Sequence, residues 1–455
     1  MSAATPDERS RVEVDAGPAD DIATVDVAIV GGGLVGASLA IALEPLGLRV
    51  ALVESVAAQA PTQPSFDDRT TALGNGTRRI FESLGLWADI APHAAPIRRI
   101  HVSDAGRFGF ARLAAEEQGI EAFGYVVPNR AIGAALRKRL AGLALLDQRM
   151  PARVTAVRDV PAVGAADSSA TSGTIDGESG LRPVAPQALE LALDPGAQRL
   201  RAKLVVAADG ANSVVRSAAG LEASVEDYRQ VAIVAHVRAA QPGNGTAYER
   251  FTPDGPIAVL PLQGGSHGVI WTLAPEAAER VLALDDAQYL TELQQAFGWR
   301  AGRFVQVGQR SAYPLRLMRA GQSTAVRTVL VGNAAQALHP VAGQGFNLGL
   351  RDAATLAELL AERLAAAPAA TLDCGAPGLL EEFANRRRSD RDGVTRFTDS
   401  LVKLFGDERP GFGAARDLGL LLFDLSPTAK SALSRISWGF AGRTPRLARG
   451  AGVRP

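Results

Sequence analysis

The chain has 455 residues, of which 47% are hydrophobic and 21% charged, with 48 basic side chains balanced by 48 acidic ones. That length supports a large core divided into two or three units, and the even charge argues against nucleic acid as a partner and against a basic membrane patch. The single cysteine, Cys374, excludes an intrachain disulfide and a CxxC redox pair, and no run approaches the roughly 18 apolar residues of a spanning helix.

Residues 1–23 are polar and acidic and lack the apolar centre of a signal peptide, so they are predicted to be a disordered tail on a cytoplasmic protein. Val27–Val30 then forms a short apolar strand, and Gly31-Gly32-Gly33-Leu34-Val35-Gly36 supplies G-x-G-x-x-G through Gly31, Gly33 and Gly36. In such a turn the first glycine permits the tight bend, the second lets backbone approach a pyrophosphate, and the third lets the following helix lie close to its strand. The helix is predicted to reach about Leu46, and a second strand, Arg49–Val53, ends in Glu54, where an acid would hold ribose hydroxyls. Residues 125–145 read as a strand end and an amphipathic helix that opens at Asn129-Arg130. Residues 158–188, rich in Ala, Ser, Gly and Pro, read as a flexible loop inserted in a β-meander. A further strand ends in Asp209-Gly210, a sharp turn with a carboxylate, followed by Asn212, Ser213 and Arg216.

Strands are predicted at Val231–Val237, Ala247–Phe251, Ile257–Pro261 and Gly268–Leu273, with a helix near Asp286–Phe297. Val329–Val331 is another strand, followed by Gly332-Asn333, His339-Pro340, Gly343-Gln344-Gly345 and a helix carrying Asn347 and Gly349. Glycines at a helix entrance allow a flat cofactor to approach the backbone, and the free N–H groups there favour negative charge. From Leu379 the pattern is helical to the end, with no metal-ligand set and no internal repeat.

These three glycine-rich elements, in this order, resemble the FAD-dependent aromatic hydroxylases of the p-hydroxybenzoate hydroxylase fold over roughly residues 24 to 400. The stretches FDDRTTAL, YERFTPDGPIAVLPL, VGNAAQALHPVAGQGFNLGLRD and RRRSDRDGVTRFTDSLVKLF are similar to the branch that hydroxylates 2-polyprenyl-6-methoxyphenol in ubiquinone biosynthesis. The resemblance implies an α/β fold: a Rossmann-like FAD-binding domain (24–222 and 312–375), an inserted β-sheet substrate domain (223–311) and a helical C-terminal region (376–455). It also implies FAD, NAD(P)H as reductant, O2 as co-substrate and a flavin C4a-hydroperoxide as the oxygen donor, because no side chain delivers an electrophilic oxygen. The implied substrate is a polyprenyl phenol. A sibling enzyme acting at another ring position or on another phenol, and a non-catalytic scaffold in a quinone-biosynthesis protein complex, stay open beside it. One departure from the wider superfamily is Gly332-Asn333 where Gly-Asp is usual; an Asn amide still bonds a ribityl hydroxyl, without charge.

The resemblance places Gln344, Gly345 and Asn347 at the pyrimidine edge of the flavin and His339 and Pro340 near its reacting edge. His339 assists phenol deprotonation or serves as a structural hydrogen-bonder. Arg69 contacts cofactor or forms a surface ion pair; Arg130 meets phosphate or caps its helix. Asp352 orients the loop or pairs with Arg351, and Tyr248, Phe251 and Tyr313 line an aromatic pocket or belong to strand core. Arg386–Arg388, with Asp390 and Arg391, reads as a solvated or interface helix face. The apolar run Leu420–Leu422, Phe423, Leu425, Ile436, Trp438 and Phe440 packs on the enzyme body, touches the inner membrane's surface or meets a partner protein.

Overall fold

The computed structural model describes residues 22–57, 66–67, 69–160, 186–241, 243–366, 371–405, 412–424 and 444–454, with Ser426 and Thr428. The acidic N-terminal stretch before 22, the centre of the inserted loop (161–185) and the apolar residues Leu425, Ile436, Trp438 and Phe440 lie outside them.

A parallel sheet forms around strand Ala23–Val30, which pairs with Gln198–Ala207 on one side and Val50–Val53 on the other. Thr328–Leu330 and Leu146–Arg149 extend it outward. The C-terminal parts of its central strands, Val27–Val30 and Leu204–Ala207, are continuous apolar runs because both faces are covered there. Helices Leu34–Leu43 and Gln344–Ala366 pack on one face, and eight of the ten residues of the first are buried. The meander Arg153–Val160 and Ala188–Asp194 continues antiparallel from Gln198–Ala207, so strand pairing runs into both ends of the 158–188 segment.

A second sheet of nine strands has the order Gln336–Ala337, Ser311–Ala320, Ala223–Ala239, Ser266–Leu273, Gly255–Pro261, Thr246–Thr252, Arg99–Asp104 and Phe110–Ala114, with Phe304–Val307 beside Ala223–Ala239. It therefore draws on residues 99–114 and 311–320 as well as on 223–307. Strand alternation divides its faces. Ile233, Val259, Val269 and Trp271 pack under helices Pro275–Leu282 and Asp286–Phe297, while Ala258, Leu260 and Ile270 face a large cavity. A three-stranded sheet, Thr70–Gly74, Gly124–Pro128 and Ala95–Ile97, joins the two.

The chain leaves the parallel sheet after Val331, turns at Gly332, and adds the two-residue strand Gln336–Ala337 to Ser311–Ala320 in the other sheet. That crossing segment, running on to His339 and Gly343, lies where the two sheets meet. Helices Pro377–Phe405 and Phe412–Asp424 follow the core, and residues 444–454 close the described chain as a turn packed on the helix Asn75–Ser83. No described helix is long and apolar enough to cross a membrane.

Of the triple arginine only Arg388 is exposed, as a solvated face would have it; Arg386 is half-buried and Arg387 is inside the protein. Arg387 is 1% exposed and donates to Asp352 Oδ1 at 2.7 Å and Asp390 Oδ2 at 2.6 Å. Arg391 pairs with Asp352 at 3.1 Å and donates to Leu330 O, at the end of the last parallel strand. Asp352 also accepts from Gln336 Nε2 at 3.2 Å and, at 3.4 Å, from Gly332 N; of its two readings the structure favours orienting the loop over pairing with Arg351, which pairs with Asp390. Burial alone would raise the Asp352 carboxyl; the guanidiniums of Arg391 and Arg387 outweigh it and hold the group below the usual carboxylate range.

Candidate functional site

The first glycine turn is shaped for a ligand. Gly31 sits at φ +105°, and a Cβ there would lie 2.4 Å from Ala208 O; a Cβ on Gly36 would lie 1.9 Å from Gly31 O. Glu54 accepts from Gly32 N at 2.6 Å and from Val56 N at 2.8 Å, so the carboxylate braces the turn as well as lining the cleft above it. This cleft, about 650 Å³, is bounded by Gly31, Gly33, Glu54, Asp209, Gly210 and Asn333 among others.

Asp209 supplies a specific test of fit. Its Oδ2 accepts from Val214 N at 2.9 Å, at the head of the short helix Val214–Ala218, whereas Oδ1 is buried without a protein partner. A buried carboxylate oxygen at the wall of a cleft calls for a donor, and a ribityl or ribose hydroxyl supplies one. Arg216 ties this turn to the next: its guanidinium donates to Ala211 O at 2.7 Å and Ala334 O at 3.0 Å. Gly332 is at φ +58°, and a Cβ on Gly349 would lie 2.8 Å from its Cα, so the long helix rests directly on this turn. A Cβ on Gly345 meets nothing within 4 Å, and Gly345 lines both this cleft and the neighbouring cavity. The residues present fit a bound dinucleotide.

Arg69 and Asn333 also line both spaces. Arg69 pairs with Asp67 at 2.6 Å and lies 5.0 Å over the Tyr313 ring, so Tyr313 serves as its platform. Arg130 is exposed and outside the cleft lining; the adjacent Asn129 lines it and accepts from Thr71 Oγ1 at 2.6 Å. Asn347 lines the neighbouring cavity, and its side-chain amide is engaged by the protein. It accepts from Gly74 N and Thr77 Oγ1 and donates to Ala72 O and Gly343 O, clipping the three-stranded sheet to the helix entrance. Asn347 is a positioning residue.

The second space, about 980 Å³, is lined mainly by apolar side chains. Its lining includes His339, Pro340, Gly343 and Gln344, together with Phe397, Leu401 and Leu404 of one C-terminal helix and Leu420 and Phe423 of the next. Phe251 lines it and stacks on Phe405 with ring centres 3.5 Å apart, whereas the Tyr248 ring packs edge-on against Phe297 and its hydroxyl donates to Arg300 O. His339 is buried, edge-on to Tyr228, and burial pushes its imidazole down to about 4. Its Nδ1 accepts from Val341 N at 3.2 Å, which puts the neutral ring's proton on Nε2, a buried atom without a protein partner. In this arrangement His339 is a donor, and a base role for it does not fit. Cys374 is buried with its thiol raised to about 12 by burial, which leaves it without nucleophilic character.

Sequence reasoning passed over one cavity residue. Glu249 lines the apolar space with Ala247, Tyr248 and Phe251, while the Tyr248 ring packs on Phe297 and the Arg250 guanidinium donates to Ala296 O. Only the alternation of YERF hinted at this, and alternation alone does not tell which face is enclosed.

The comparisons with known proteins agree with this geometry. The profile of the FAD binding domain family matches residues 24–375. A ubiquinone hydroxylase, UbiL of Rhodospirillum rubrum, is 37% identical over 439 residues, covering 95% of this chain and 94% of that protein. The chain belongs to the FAD-binding-domain flavoproteins. Within that family it stands close to the bacterial and eukaryotic ubiquinone-biosynthesis hydroxylases, and this flavoprotein is accordingly an FAD-dependent enzyme of the monooxygenase type. The 3-demethoxyubiquinol 3-hydroxylase of Escherichia coli is 29% identical, covering 91% of this chain and 98% of that one. The fold is that of p-nitrophenol 4-monooxygenase PnpA from Pseudomonas putida, with TM-score 0.71 at 20% identity over 93% of this chain and all of that one.

Proposed function

We propose that this flavoprotein hydroxylates the aromatic ring of a polyprenyl phenol in ubiquinone biosynthesis, with a methoxyphenol as the ring. The observation that carries this reading is the contact between the two spaces. A cleft built for a dinucleotide meets, at Arg69, Asn333 and Gly345, an apolar cavity with room for a substituted ring and the first isoprene units of its tail. Bound FAD supplies the oxygen chemistry: reduced by NAD(P)H, it activates O2 for transfer to an electron-rich ring. The protein's part is placement and exclusion. Asp209, Glu54 and the glycine turns hold the dinucleotide; Pro340, Gly343 and Gln344 frame the ring's edge; the aromatic and leucine side chains keep water from the reacting oxygen.

The tail leaves between the two C-terminal helices. Leu404 lines the cavity and is 44% exposed, and Leu418 and Leu422 are exposed beyond it, an apolar rim suited to a lipid surface. The relatives' names cover more than one hydroxylation step, so a sibling ring position is the second reading. Deleting the gene and identifying the accumulated quinone precursor by mass spectrometry separates the two. The expected result is a polyprenyl-methoxyphenol, cleared by the wild-type gene, not cleared by Gly33→Trp, and cleared more slowly by Leu422→Asp. A later, already hydroxylated precursor would assign the sibling position, normal quinone would remove the pathway altogether, and full-speed clearing by Leu422→Asp would reject the exit for the tail.

A further inference from the structure

Among the described residues Glu249 is the one carboxylate that lines the apolar cavity. It lies mid-strand, paired across to Val102 on one side and Ala258 on the other, and two residues inward of the Phe251–Phe405 stack. The elements packed against it turn apolar groups toward it: Val102, Ala258, and Phe397, Leu401 and Phe405 of the long C-terminal helix. Their charges are directed elsewhere. Asp104 pairs with Arg107, Asp399 with Lys403, Asp417 accepts from Gly109 N, and Asp424 from Arg112 N. Arg396 is exposed on the helix surface, and Arg69, His339 and Tyr248, whose hydroxyl donates to Arg300 O, are the other ionisable groups of the lining among the described residues. No ion pair or hydrogen bond to protein engages the Glu249 side chain among the described residues. A carboxyl in an apolar wall with its valences unused is costly for the fold, and the partner that justifies it is a ligand's hydroxyl.

We propose that Glu249 receives the ring hydroxyl of the aromatic substrate and takes its proton during hydroxylation. This rests on the phenol-hydroxylation reading above. The phenol O–H bond breaks, its proton goes to the Glu249 carboxylate, and the freed electron pair conjugates into the ring. Bound reduced FAD would supply the two electrons that activate O2; as a ring carbon forms the new C–O bond, the O–O bond breaks. The ring carbon loses its hydrogen as a proton to restore aromaticity, Glu249 returns its proton to the ring oxygen, and the second oxygen atom leaves as water at the expense of NAD(P)H. Burial pushes the Glu249 carboxyl up to about 7, close enough to neutrality to serve as an acceptor that is regenerated each turnover.

The test uses FAD-loaded enzyme, wild type, Glu249→Gln and Glu249→Asp, with two probes: a farnesyl-tailed methoxyphenol and its O-methyl ether. Binding is read from the flavin spectrum and turnover from pH 5.5 to 9. Wild type is expected to bind the phenol at least tenfold more tightly than the ether, with kcat rising with pH through an inflection near 7. Glu249→Gln should keep its FAD, lose the preference and the inflection, and fall in kcat by about 10²-fold, with Glu249→Asp keeping the inflection at a lower rate. Folding provides a second readout. A carboxyl raised from 4.5 to about 7 favours the fold below 4.5 and loses that contribution as pH rises through 7, so Glu249→Gln should melt higher than wild type at pH 8. An inflection retained in Glu249→Gln, or a rate within about threefold of wild type, would overturn the inference and leave the hydroxylase reading intact. Failure of wild type to bind or oxidise either probe would strike at the reading itself.

Discussion

Gly31→Ala protein is expected to leave purification without its FAD. At φ +105° alanine is strained, and its Cβ would meet Ala208 O at 2.4 Å and Asp209 N at 2.8 Å, which are backbone atoms of the neighbouring strand end. Relief requires Asp209 to move, and Asp209 carries the orphan carboxylate oxygen at the cleft wall. Strain and overpacking together come to about 3 kcal/mol, or roughly a hundredfold in cofactor affinity. Gly36→Ala is harsher, since its Cβ would fall 1.9 Å from Gly31 O and lift the helix from its strand. Gly47→Ala is the control: φ +66° with no atom within 4 Å, so it bears strain without a clash and lies outside the cleft. The FAD-to-protein ratio and circular dichroism, measured together, separate lost cofactor from lost fold. Full FAD in Gly31→Ala would show that this turn does not hold the dinucleotide.

Asp352→Ala carries the largest expected cost to stability. The carboxylate is completely buried and answers two guanidiniums, Arg387 and Arg391, so its removal strands cations inside the protein. Breaking such an array by deleting one partner costs about 3–5 kcal/mol. The loss should also loosen the Gly332 turn, which Asp352 reaches through Gly332 N and Gln336, so FAD release should quicken at denaturant concentrations below global unfolding. Asp352→Ala combined with Arg387→Met should recover part of the stability by removing one stranded charge. Acid provides an independent check. Asp352 and Asp390 are both held below 3.8, so their contribution is complete at neutral pH and is lost as pH falls below 3.8 through their folded values. Wild type should therefore lose stability below pH 4 more steeply than Asp352→Ala. Equal urea midpoints for wild type and Asp352→Ala would show the array to be energetically neutral.

Local chemistry was legible along the chain wherever one segment made its own case. A strand, a glycine turn and a helix announce themselves through apolar runs and spacing, and the turns at Gly31 and Gly332 lie where the sequence put them. The helix at Asp286–Phe297 was equally local, with Asp285 and Gln288 forming its capping box. What stayed hidden depended on pairing between distant segments. The resemblance places residues 312–320 in the cofactor domain, and nothing in them says that Ser311–Ala320 joins Ala223–Ala239 in the other sheet. Arg387 looks solvated within Arg386–Arg388 until helix Gln344–Ala366 brings Asp352 against it. The work of the Asn347 side chain was hidden too: four protein partners use its amide, and those lie on residues 72–77 and at Gly343. Glu249 had no signal of its own, because the enclosure of one face of its strand is made by helices 150 residues further along the chain.

The central claim is that oxygen from O2 enters a prenylated ring at the cavity beside the dinucleotide cleft. Its most direct test is a single incubation of the FAD-loaded enzyme with NAD(P)H, a farnesyl-tailed methoxyphenol and 18O2, followed by mass spectrometry of the ring product. The account predicts a product heavier by one 18O atom, formed only when reductant is present. NAD(P)H consumption that yields peroxide alone, or a product that takes its oxygen from water, would contradict it.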